Sequence, residues 1–354
     1  MGERVPACRS RLSDYNRNVD GPLVSVIIAS DRVLGLLPRC LRSLALQKDA
    51  PVFEVLVASS VAPVPLSGAP FPLTWIAVEN RNPALRRNRA ARQARGAIVA
   101  FIDDDAEAEP DWVAAGFAAL DRCSIAGGPD LLPEGSPWSE RLSDLLLATP
   151  WIGSGVPAHE REPRGGPVRT AHDVALCNLF ARRETFEALS GFDESLGYIS
   201  EDTDFVRRAL ESGARVELDP AVRVRHHRRR FPLDYLAQRW RYRVKTGRML
   251  FEKPGVHARG RVALFLTLGF LGSAGAALFG MSFAAPALLL YAAGAWALSF
   301  PIWRRDSLLF PAVPFAFALH HATYFAGLLA GMARGAAGVL RSSRPRPGQM
   351  RSDT

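Results

Sequence analysis

Three consecutive acids follow an apolar run near the middle of the sequence. The run from Ala97 to Ile102 is rich in β-branched residues, which predicts a strand buried on both faces. Asp103, Asp104 and Asp105 follow it, at the strand end where open α/β sheets bind ligands. Because adjacent carboxylates repel one another, a divalent cation is expected there, held by Asp103 and Asp105 while Asp104 points elsewhere. The alternative is a solvated acidic turn that caps the next helix.

A second acidic group lies at the start of another predicted helix. Glu201, Asp202 and Asp204 fall in its first turn, and the helix runs to Glu211. The positive end of a helix favours ionised carboxylates, so this group is either a candidate general base or a helix start stabilised by its acids. His226 follows a later short strand and is either a further metal ligand or part of a surface patch that titrates near neutrality.

Alternating strands and helices are predicted to position these groups. The helix before Ala97 begins at Asn82-Pro83, ends at Gly96 and carries five arginines. Arg87 is the expected partner of the acids, and the other four are interpreted as a solvated face. Alternation of this kind predicts an α/β fold with a largely parallel sheet and right-handed crossovers. The other apolar runs that predict strands here are Val24–Ala29, Phe53–Ala58 and Trp75–Val78.

The segment after these elements is rich in glycine and proline. Ile125–Leu132 predicts a strand kinked at Gly127-Gly128. Residues 133–167 surround an apolar patch, Leu145–Ile152, and are interpreted as a partly mobile loop that acts as an acceptor lid. The patch is expected to meet the membrane surface or a lipid-linked acceptor, and Trp151 is an acceptor-side candidate.

The C-terminal third has the composition of a membrane protein. Val262–Trp303 contains 42 residues without a charge, enough for two spans of about 20 residues each. Leu308–Met332 is a third apolar run, which is either re-entrant or a full span that places the basic tail outside. Gly327-x-x-x-Gly331 suggests close helix packing, which favours a true span. The arginines before the first span predict a cytoplasmic catalytic domain. Residues 1–20 lack the apolar core of a signal peptide.

Charge and cysteine content restrict the class of protein further. The net charge is +9, and residues 223–248 contain ten Arg or Lys and one acid, a run suited to anionic lipid, pyrophosphate or nucleic acid. The four cysteines lack zinc-site or disulfide spacing, which fits a reducing compartment. A nucleic-acid binder would explain the basic run alone, but neither the acids nor the apolar segments, so no nucleic-acid partner is expected.

The order of these signals resembles family 2 glycosyltransferases, inverting enzymes of the GT-A fold, over about residues 24–247. The motifs that carry the resemblance are the opening strand and its turn at Val24–Arg32, Arg87-Asn88, the D-x-D at Asp103–Asp105, the run Asn178–Arg183, Gly191–Glu194, and Glu201-Asp202-x-Asp204. The resemblance implies a Rossmann-like mixed sheet followed by C-terminal transmembrane helices. The expected divisions are a tail at 1–20, the GT-A domain at 21–250, a transmembrane region at 251–340 and a basic tail at 341–354.

The resemblance also implies roles for individual residues. Asp202 would be the general base, with Glu201 beside it, and Asp103, Asp105 and His226 would hold Mn²⁺ or Mg²⁺. Donor-binding residues would be Ala29, Ser30, Asp31, Arg32, Ser59, Arg87, Asp103 and Asp104. Acceptor-side residues would be Asn178, Gly191, Phe192, Asp193, Asp204 and Trp151. The second strand ends in Ser59-Ser60, where the family usually has aspartates, so serine hydroxyls would contact the base of the nucleotide.

The expected function is therefore transfer of a sugar from a nucleotide-diphosphate donor to a glycan or lipid-linked acceptor at the membrane, in contact with membrane lipids. The expected location is a multi-pass membrane protein with its catalytic domain in the cytoplasm. The alternative is a catalytically inactive GT-A module that serves as a binding or assembly subunit. The absence of an acid after the second strand fits the alternative, whereas the presence of Asp103, Asp105 and Asp202 favours the enzyme.

Overall fold

The computed structural model describes residues 21–31, 35–61, 63, 68–149, 165–197, 199–252 and 284–342. The strands are β1 (Val24–Ser30), β2 (Phe53–Ser59), β3 (Leu73–Ala77), β4 (Ile98–Ile102), β5 (Ala106–Ala108), β6 (Ile125–Gly127), β7 (Asp130–Leu131), β8 (Gly166–Pro167), β9 (Asn178–Arg182), β10 (Val216–Leu218) and β11 (Val224–His226). The helices are α1 (Leu37–Ala45), α2 (Pro83–Ala91), α3 (Trp112–Ala119), α4 (Trp138–Ala148), α5 (Arg183–Ala188), α6 (Glu201–Glu211), α7 (Leu233–Glu252), α8 (Ala284–Ser299) and α9 (Val313–Ser342).

The chain divides into two compact units. The first comprises residues 1–136 and 153–227, and the second comprises residues 137–152 and 228–354. All the strands therefore belong to the first unit, and α4, α7, α8 and α9 belong to the second.

A mixed sheet forms the centre of the first unit, in the order β3-β2-β1-β4-β9-β6-β10-β8. The strands β1 to β4 are parallel, whereas β9 runs antiparallel to both of its neighbours, β4 and β6. All residues of β4 and β9 are buried, as expected for strands covered on both faces. β6 and β10 are also parallel to each other, so six of the eight strands run in one direction and only β9 and β8 oppose them. The α/β class with a mixed, largely parallel sheet is thus confirmed.

A small second sheet, β5-β11-β7, gathers distant parts of the chain. β11 pairs antiparallel with β5 and parallel with β7, so that His226 lies opposite Ala106 and Val224 lies opposite Asp130. The kink predicted at Gly127-Gly128 is where β6 ends and the chain crosses to β7. A Cβ atom on Gly128 would lie 1.9 Å from the carbonyl oxygen of Val222, so only glycine permits this close approach.

In the second unit, residues 138–148 form α4, so the loop predicted for this segment is wrong over those residues. Leu142, Leu145, Leu146 and Leu147 are buried in an apolar cluster that includes Tyr235 of α7 and Phe317 of α9. Leucines at i, i+3 and i+4 are the pattern of a packed helix face. The first part of the patch predicted to meet an acceptor is therefore core, while Trp151 lies outside the described residues.

Replacing Leu146 with alanine is accordingly expected to reduce the free energy of unfolding by about 2–5 kcal/mol, the usual cost of truncating a buried leucine. Leu233→Ala is the matched control, because Leu233 is 80% exposed in the same unit and should change stability by less than about 0.5 kcal/mol. Denaturant unfolding of the detergent-purified protein measures both. Equal effects of the two substitutions would contradict the burial of α4.

Small residues bring α7 and α9 into backbone contact. A Cβ atom on Gly331 would lie 2.1 Å from the carbonyl oxygen of Val244, and one on Gly247 would lie 2.3 Å from that of Leu328. The partner that Gly327-x-x-x-Gly331 approaches is thus α7, since Gly327 also lies against it.

Among the described residues, one helical stretch is long and apolar enough to cross a bilayer, judged by length and composition alone. It is Phe310–Gly338. Sequence reasoning predicted about three such segments. The first of them lies mainly outside the described residues, and α8, within the second, contains 16 residues.

Candidate active site

The carboxyl end of β4 brings three potential metal ligands together. Carboxylate oxygens of Asp103 and Asp105 and a ring nitrogen of His226 lie within 4.8 Å of one another. The Nε2 atom of His226 is 3.1 Å from Oδ1 of Asp105. This proximity follows from strand pairing, because β5 and β11 set His226 opposite Ala106. Two carboxylates and an imidazole form a donor set that suits a divalent cation.

The electrostatics of this cluster also favour a cation. Burial opposes a charge on His226, but the carboxylates of Asp105 and Asp130 outweigh burial and raise the pKa of His226 well above its usual value. A site that stabilises an imidazolium will also stabilise a metal ion. His227 points away, with its Nε2 atom 3.1 Å from Oε1 of Glu107.

Arg87 connects the acids after β4 to the start of α6. The side chain of Asn82 caps the first turn of α2 and fixes the register that directs Arg87 inward. The guanidinium donates to Oδ1 of Asp103 at 2.7 Å and to Oε1 of Glu201 at 3.2 Å. Because Arg87 is 6% exposed, this bridge holds the two acidic groups at a fixed separation in a poorly solvated place.

Glu201 and Asp202 have altered proton affinities at the start of α6. Burial raises the pKa of Glu201 to about 7, against the opposing effect of Arg87. Burial also raises the pKa of Asp202, and Asp103 adds to this shift, while hydrogen bonds from Thr203 and the charge of Arg87 oppose it. A carboxylate whose pKa is raised is a stronger base when ionised, which is the property required of a proton acceptor.

Asp204 has a different role in the same helix. It is 5% exposed and accepts hydrogen bonds from Arg207 at 2.7 Å and from Arg208 at 2.8 Å. Arg208 also donates hydrogen bonds to the carbonyl oxygens of Leu189 and Gly191. Asp204 thereby attaches α6 to the turn after α5, and its carboxylate is engaged in ion pairs.

The donor-side residues predicted at the end of β1 lie at the same edge of the sheet. The hydroxyl of Ser30 donates to Oδ2 of Asp104 at 2.6 Å. Ser59 lies opposite Ser30 in the β1–β2 register, and its Oγ accepts the backbone N–H of Val61 at 3.0 Å. Ala29 is half-buried one residue earlier. Arg32 lies outside the described residues.

Arg86 is a site residue that sequence reasoning assigned to the solvated face of α2. It is buried, forms an ion pair with Asp31 and donates to the carbonyl oxygen of Ser30 at 3.0 Å. The prediction of a solvated face fails for this arginine because its guanidinium also donates to the carbonyl oxygens of Val78 and Asn80, in the segment between β3 and α2. It holds for the three arginines that are exposed, Arg89, Arg92 and Arg95.

The predicted acceptor-side residues are mostly engaged within the protein. Asn178 is fully buried and donates to the carbonyl oxygens of Pro129 and Val222. Phe192 belongs to a cluster of aromatic rings around β4, and its backbone N–H donates to Asn88. Gly191 has a φ of +65° in the preceding turn, and Asp193 caps the short helical turn at Glu194–Leu196. These residues shape the unit beside the acidic site rather than converging on it.

Asp130 is a further residue near the metal-ligand cluster that sequence reasoning did not single out. Its Oδ2 atom is 3.3 Å from Nδ1 of His226 and 3.5 Å from Sγ of Cys177. Burial raises the pKa of Cys177 to about 12, so this group is a thiol. The signal that could have found Asp130 is an acid placed directly after Gly127-Gly128-Pro129, where a glycine-rich crossing delivers the chain to a second sheet.

Comparisons with known proteins place the sequence in a family. The sequence model of "Glycosyl transferase family group 2" matches residues 98–330, and that of "Glycosyl transferase family 2" matches residues 25–129. A curated relative, the O-antigen biosynthesis protein RfbC of Myxococcus xanthus, is 29% identical over 224 residues, which make up 58% of this chain. The chain spans 17% of the length of that relative.

Two solved structures are among those similar to this chain. The mannosyltransferase PcManGT from Pyrobaculum calidifontis, solved with GDP-Man and Mn²⁺, is 20% identical, with 95% of this chain and 90% of that one covered and a TM-score of 0.49. Residues 1–349 of S. aureus TarS are 17% identical, with 91% and 92% covered and a TM-score of 0.43.

The first family model covers about two thirds of the chain, including β4, the acids that follow it, α6 and β11. The resemblance found in the sequence is thereby confirmed on the residues that carry it. This chain belongs to glycosyl transferase family group 2 and is a glycosyltransferase.

Proposed function

We propose that this glycosyltransferase moves a sugar from a nucleotide-diphosphate donor to a membrane-associated acceptor, with inversion at the anomeric carbon. The observation that carries the proposal is the convergence of Asp103, Asp105 and His226 at one end of β4, with Arg87 linking them to Glu201 beside Asp202. A single displacement requires a stabilised leaving diphosphate and a base for the acceptor hydroxyl, and these two groups of residues provide one each.

A divalent cation fits the first group. Asp103, Asp105 and His226 would hold it, and their two carboxylates and one imidazole match the oxygen and nitrogen donors that Mn²⁺ and Mg²⁺ accept. When bound, the ion supplies Lewis-acid stabilisation of the departing diphosphate. Arg87 and Ser30 keep Asp103 and Asp104 in place through their hydrogen bonds.

Asp202 takes the proton of the acceptor hydroxyl in this proposal. Its raised pKa makes it a stronger base than an exposed aspartate, and the N-terminus of α6 supports its ionised form. Arg87 adds a positive charge close to Asp202 and so limits the rise in its pKa. The ion pairs of Asp204 with Arg207 and Arg208 anchor the helix that carries the base.

The acceptor is proposed to be a growing polysaccharide, glycolipid or polyprenyl-linked glycan. The O-antigen biosynthesis relative and the long apolar stretch Phe310–Gly338, found among the described residues, support a lipid-associated acceptor of this kind. At the base of the donor, Ser59 offers a hydroxyl group where the family usually has an acid.

The test of the proposed function is donor binding and turnover with a panel of nucleotide sugars, with and without Mn²⁺, on detergent-purified protein. At least one nucleotide sugar is expected to bind in a metal-dependent way and to be slowly hydrolysed or transferred. Binding without turnover of any donor would favour the alternative, an inactive GT-A module that acts as an assembly subunit. The end of β2 in serines rather than acids is the feature that favours this alternative.

The membrane arrangement is proposed to keep both the catalytic unit and the C-terminal tail in the cytoplasm. The guanidinium carbon of Arg243 in α7 lies 3.9 Å from the ring centroid of Tyr324, near the middle of α9. A guanidinium at the centre of a bilayer costs about 2.5–3.5 kcal/mol on insertion scales, so α7 and α9 together suit the interface better than the lipid core. The two spans that the sequence predicts within Val262–Trp303 would then return the chain to the cytoplasmic side and leave the basic tail there, in keeping with the positive-inside rule.

Labelling of Ser352→Cys with a membrane-impermeant maleimide tests this topology, in protein whose Cys8 is replaced by serine. Cys40, Cys123 and Cys177 are buried and serve as the unlabelled background. Labelling is expected only after permeabilisation of the cells. Labelling of intact cells would show that the third apolar segment crosses the membrane.

A further inference from the structure

The imidazole of His226 lies between two carboxylates. Its Nε2 atom is 3.1 Å from Asp105 and its Nδ1 atom is 3.3 Å from Asp130. Asp105 belongs to the cluster that would hold the cation, whereas Asp130 lies on the other side of the ring and is 1% exposed. The two nitrogens of His226 therefore have different partners, and each partner constrains what the other nitrogen can do.

We propose that Asp130 is a positioning residue that fixes the ring orientation and the tautomer of His226. Each ring nitrogen faces a carboxylate that, when ionised, can only accept a hydrogen bond. A cation held through Nε2 would replace the proton on that nitrogen, so the remaining proton would lie on Nδ1 and be donated to Asp130. The lone pair of Nε2 then points toward Asp105 and the cation. This inference rests on the proposed function, since it concerns how one of the proposed ligands is prepared for the ion.

The fold supplies the rigidity that such a role needs. β7 begins at Asp130 and pairs with β11, which ends at His226, so both side chains come from neighbouring strands. Asn178 binds the carbonyl oxygens of Pro129 at 3.1 Å and Val222 at 2.7 Å, one residue before Asp130 and two before the start of β11. A buried amide thus ties together the two segments that carry the pair.

Cys177 completes the surroundings of Asp130. Its thiol donates to the same Oδ2 atom at 3.5 Å that faces His226. Asp130, Cys177 and His226 also have potential ligand atoms within 4.8 Å of one another, so a cation bound directly by these three is the competing interpretation. The two interpretations differ in whether the sulfur touches the metal.

The first test is the affinity of this chain for Mn²⁺, measured in detergent and without donor. The electron paramagnetic resonance signal of free Mn²⁺ reports the unbound fraction. Asp130→Asn is expected to weaken Mn²⁺ binding by roughly 10- to 100-fold, the scale for loss of a hydrogen-bond partner of a ligand. Glu54→Gln is the matched control, a carboxylate 2% exposed that pairs with Arg95 away from this cluster, and should leave the affinity unchanged. Parental affinity in Asp130→Asn would overturn the proposal.

A double-mutant cycle keeps the test independent of general destabilisation. In a His226→Gln background, Asp130→Asn is expected to cause no further loss of Mn²⁺ affinity, because its effect passes through the ring. A full additional loss would mean that Asp130 acts by another route. Asp105→Ala distinguishes failure of the positioning role of Asp130 from failure of the proposed metal site. If Asp105→Ala also binds Mn²⁺ as tightly as the parent, the proposed metal site itself is wrong.

The Co²⁺ absorption spectrum distinguishes the positioning role from direct ligation. The positioning role predicts no thiolate-to-cobalt charge-transfer band, and the same spectrum and Mn²⁺ affinity in Cys177→Ser, whose hydroxyl can still donate to Asp130. A charge-transfer band that disappears in Cys177→Ser would place the metal on Cys177. That result would assign Asp130 as a ligand and overturn the proposal.

Discussion

Replacing Asp202 with asparagine is expected to reduce sugar transfer by roughly 100-fold or more, the scale for a missing general base, while donor binding is retained. The amide has the shape of the carboxylate but cannot take a proton from the acceptor hydroxyl. Steady-state transfer rates and donor binding by calorimetry measure the two effects separately. Glu211→Gln, an exposed acid at the other end of α6, is the control and should transfer at the parental rate.

The pH dependence gives the same assignment a second readout. Because Asp202 must be ionised to act, the parental rate should fall tenfold per pH unit once the pH drops below its folded pKa. Burial raises that pKa, so the fall begins at a higher pH than it would for a solvated aspartate. The residual rate of Asp202→Asn should not show this fall at low pH. If Asp202→Asn transfers at the parental rate and Asp204→Asn does not, the base is Asp204 and Asp202 is a helix-start residue.

Replacing Asp105 with alanine is expected to abolish the metal-dependent part of donor binding. The substitution removes one of three ligand side chains and leaves His226 without its 3.1 Å partner. The loss of Mn²⁺ affinity should exceed the roughly 10- to 100-fold effect typical of partners that only support a ligand. Titration of a bound nucleotide sugar with Mn²⁺ measures it.

The Mn²⁺ affinity of His226→Ala should lie between those of the parent and Asp105→Ala, because two carboxylates remain to hold the ion. Glu107→Gln is a suitable control, since Glu107 lies in β5 next to the cluster but pairs with His227 and Arg39. Retention of metal-dependent donor binding in Asp105→Ala would remove this carboxylate from the site.

Much of the first unit could be predicted from the sequence, since local patterns determine it. A continuous apolar run specifies a strand covered on both faces, and Asn82-Pro83 specifies a helix start, so β4 and the start of α2 were predicted to within one residue. The end of α2 was predicted less well, because the helix stops at Ala91 and not at Gly96. The acids after β4 could be assigned to a ligand-binding edge because that edge is a property of parallel sheets. Family resemblance then added the role of Asp202, which stays a prediction.

Composition predicted the segment after β7 less well. Gly, Pro and charge around residues 133–167 favoured a loop, yet Leu142, Leu145 and Leu146 form the buried face of α4. The leucine spacing was present in the sequence, but the residues that cover it, among them Tyr235 and Phe317, come from helices far along the chain. A helix of this length is stabilised by such packing more than by its own propensity.

The remaining features depend on contacts that no local pattern encodes. His226 and Asp130 are 96 residues apart in sequence and meet only because β7 and β11 pair. Likewise, Arg87 and Arg86 are adjacent on α2, but one bridges Asp103 to Glu201 and the other pairs with Asp31. Elements with a strong local pattern, such as β4 and the start of α2, were therefore determined by the sequence alone. Which nitrogen faces which carboxylate was decided by the tertiary structure, because strand pairing and burial are long-range and exclude the water that would otherwise solvate these charges.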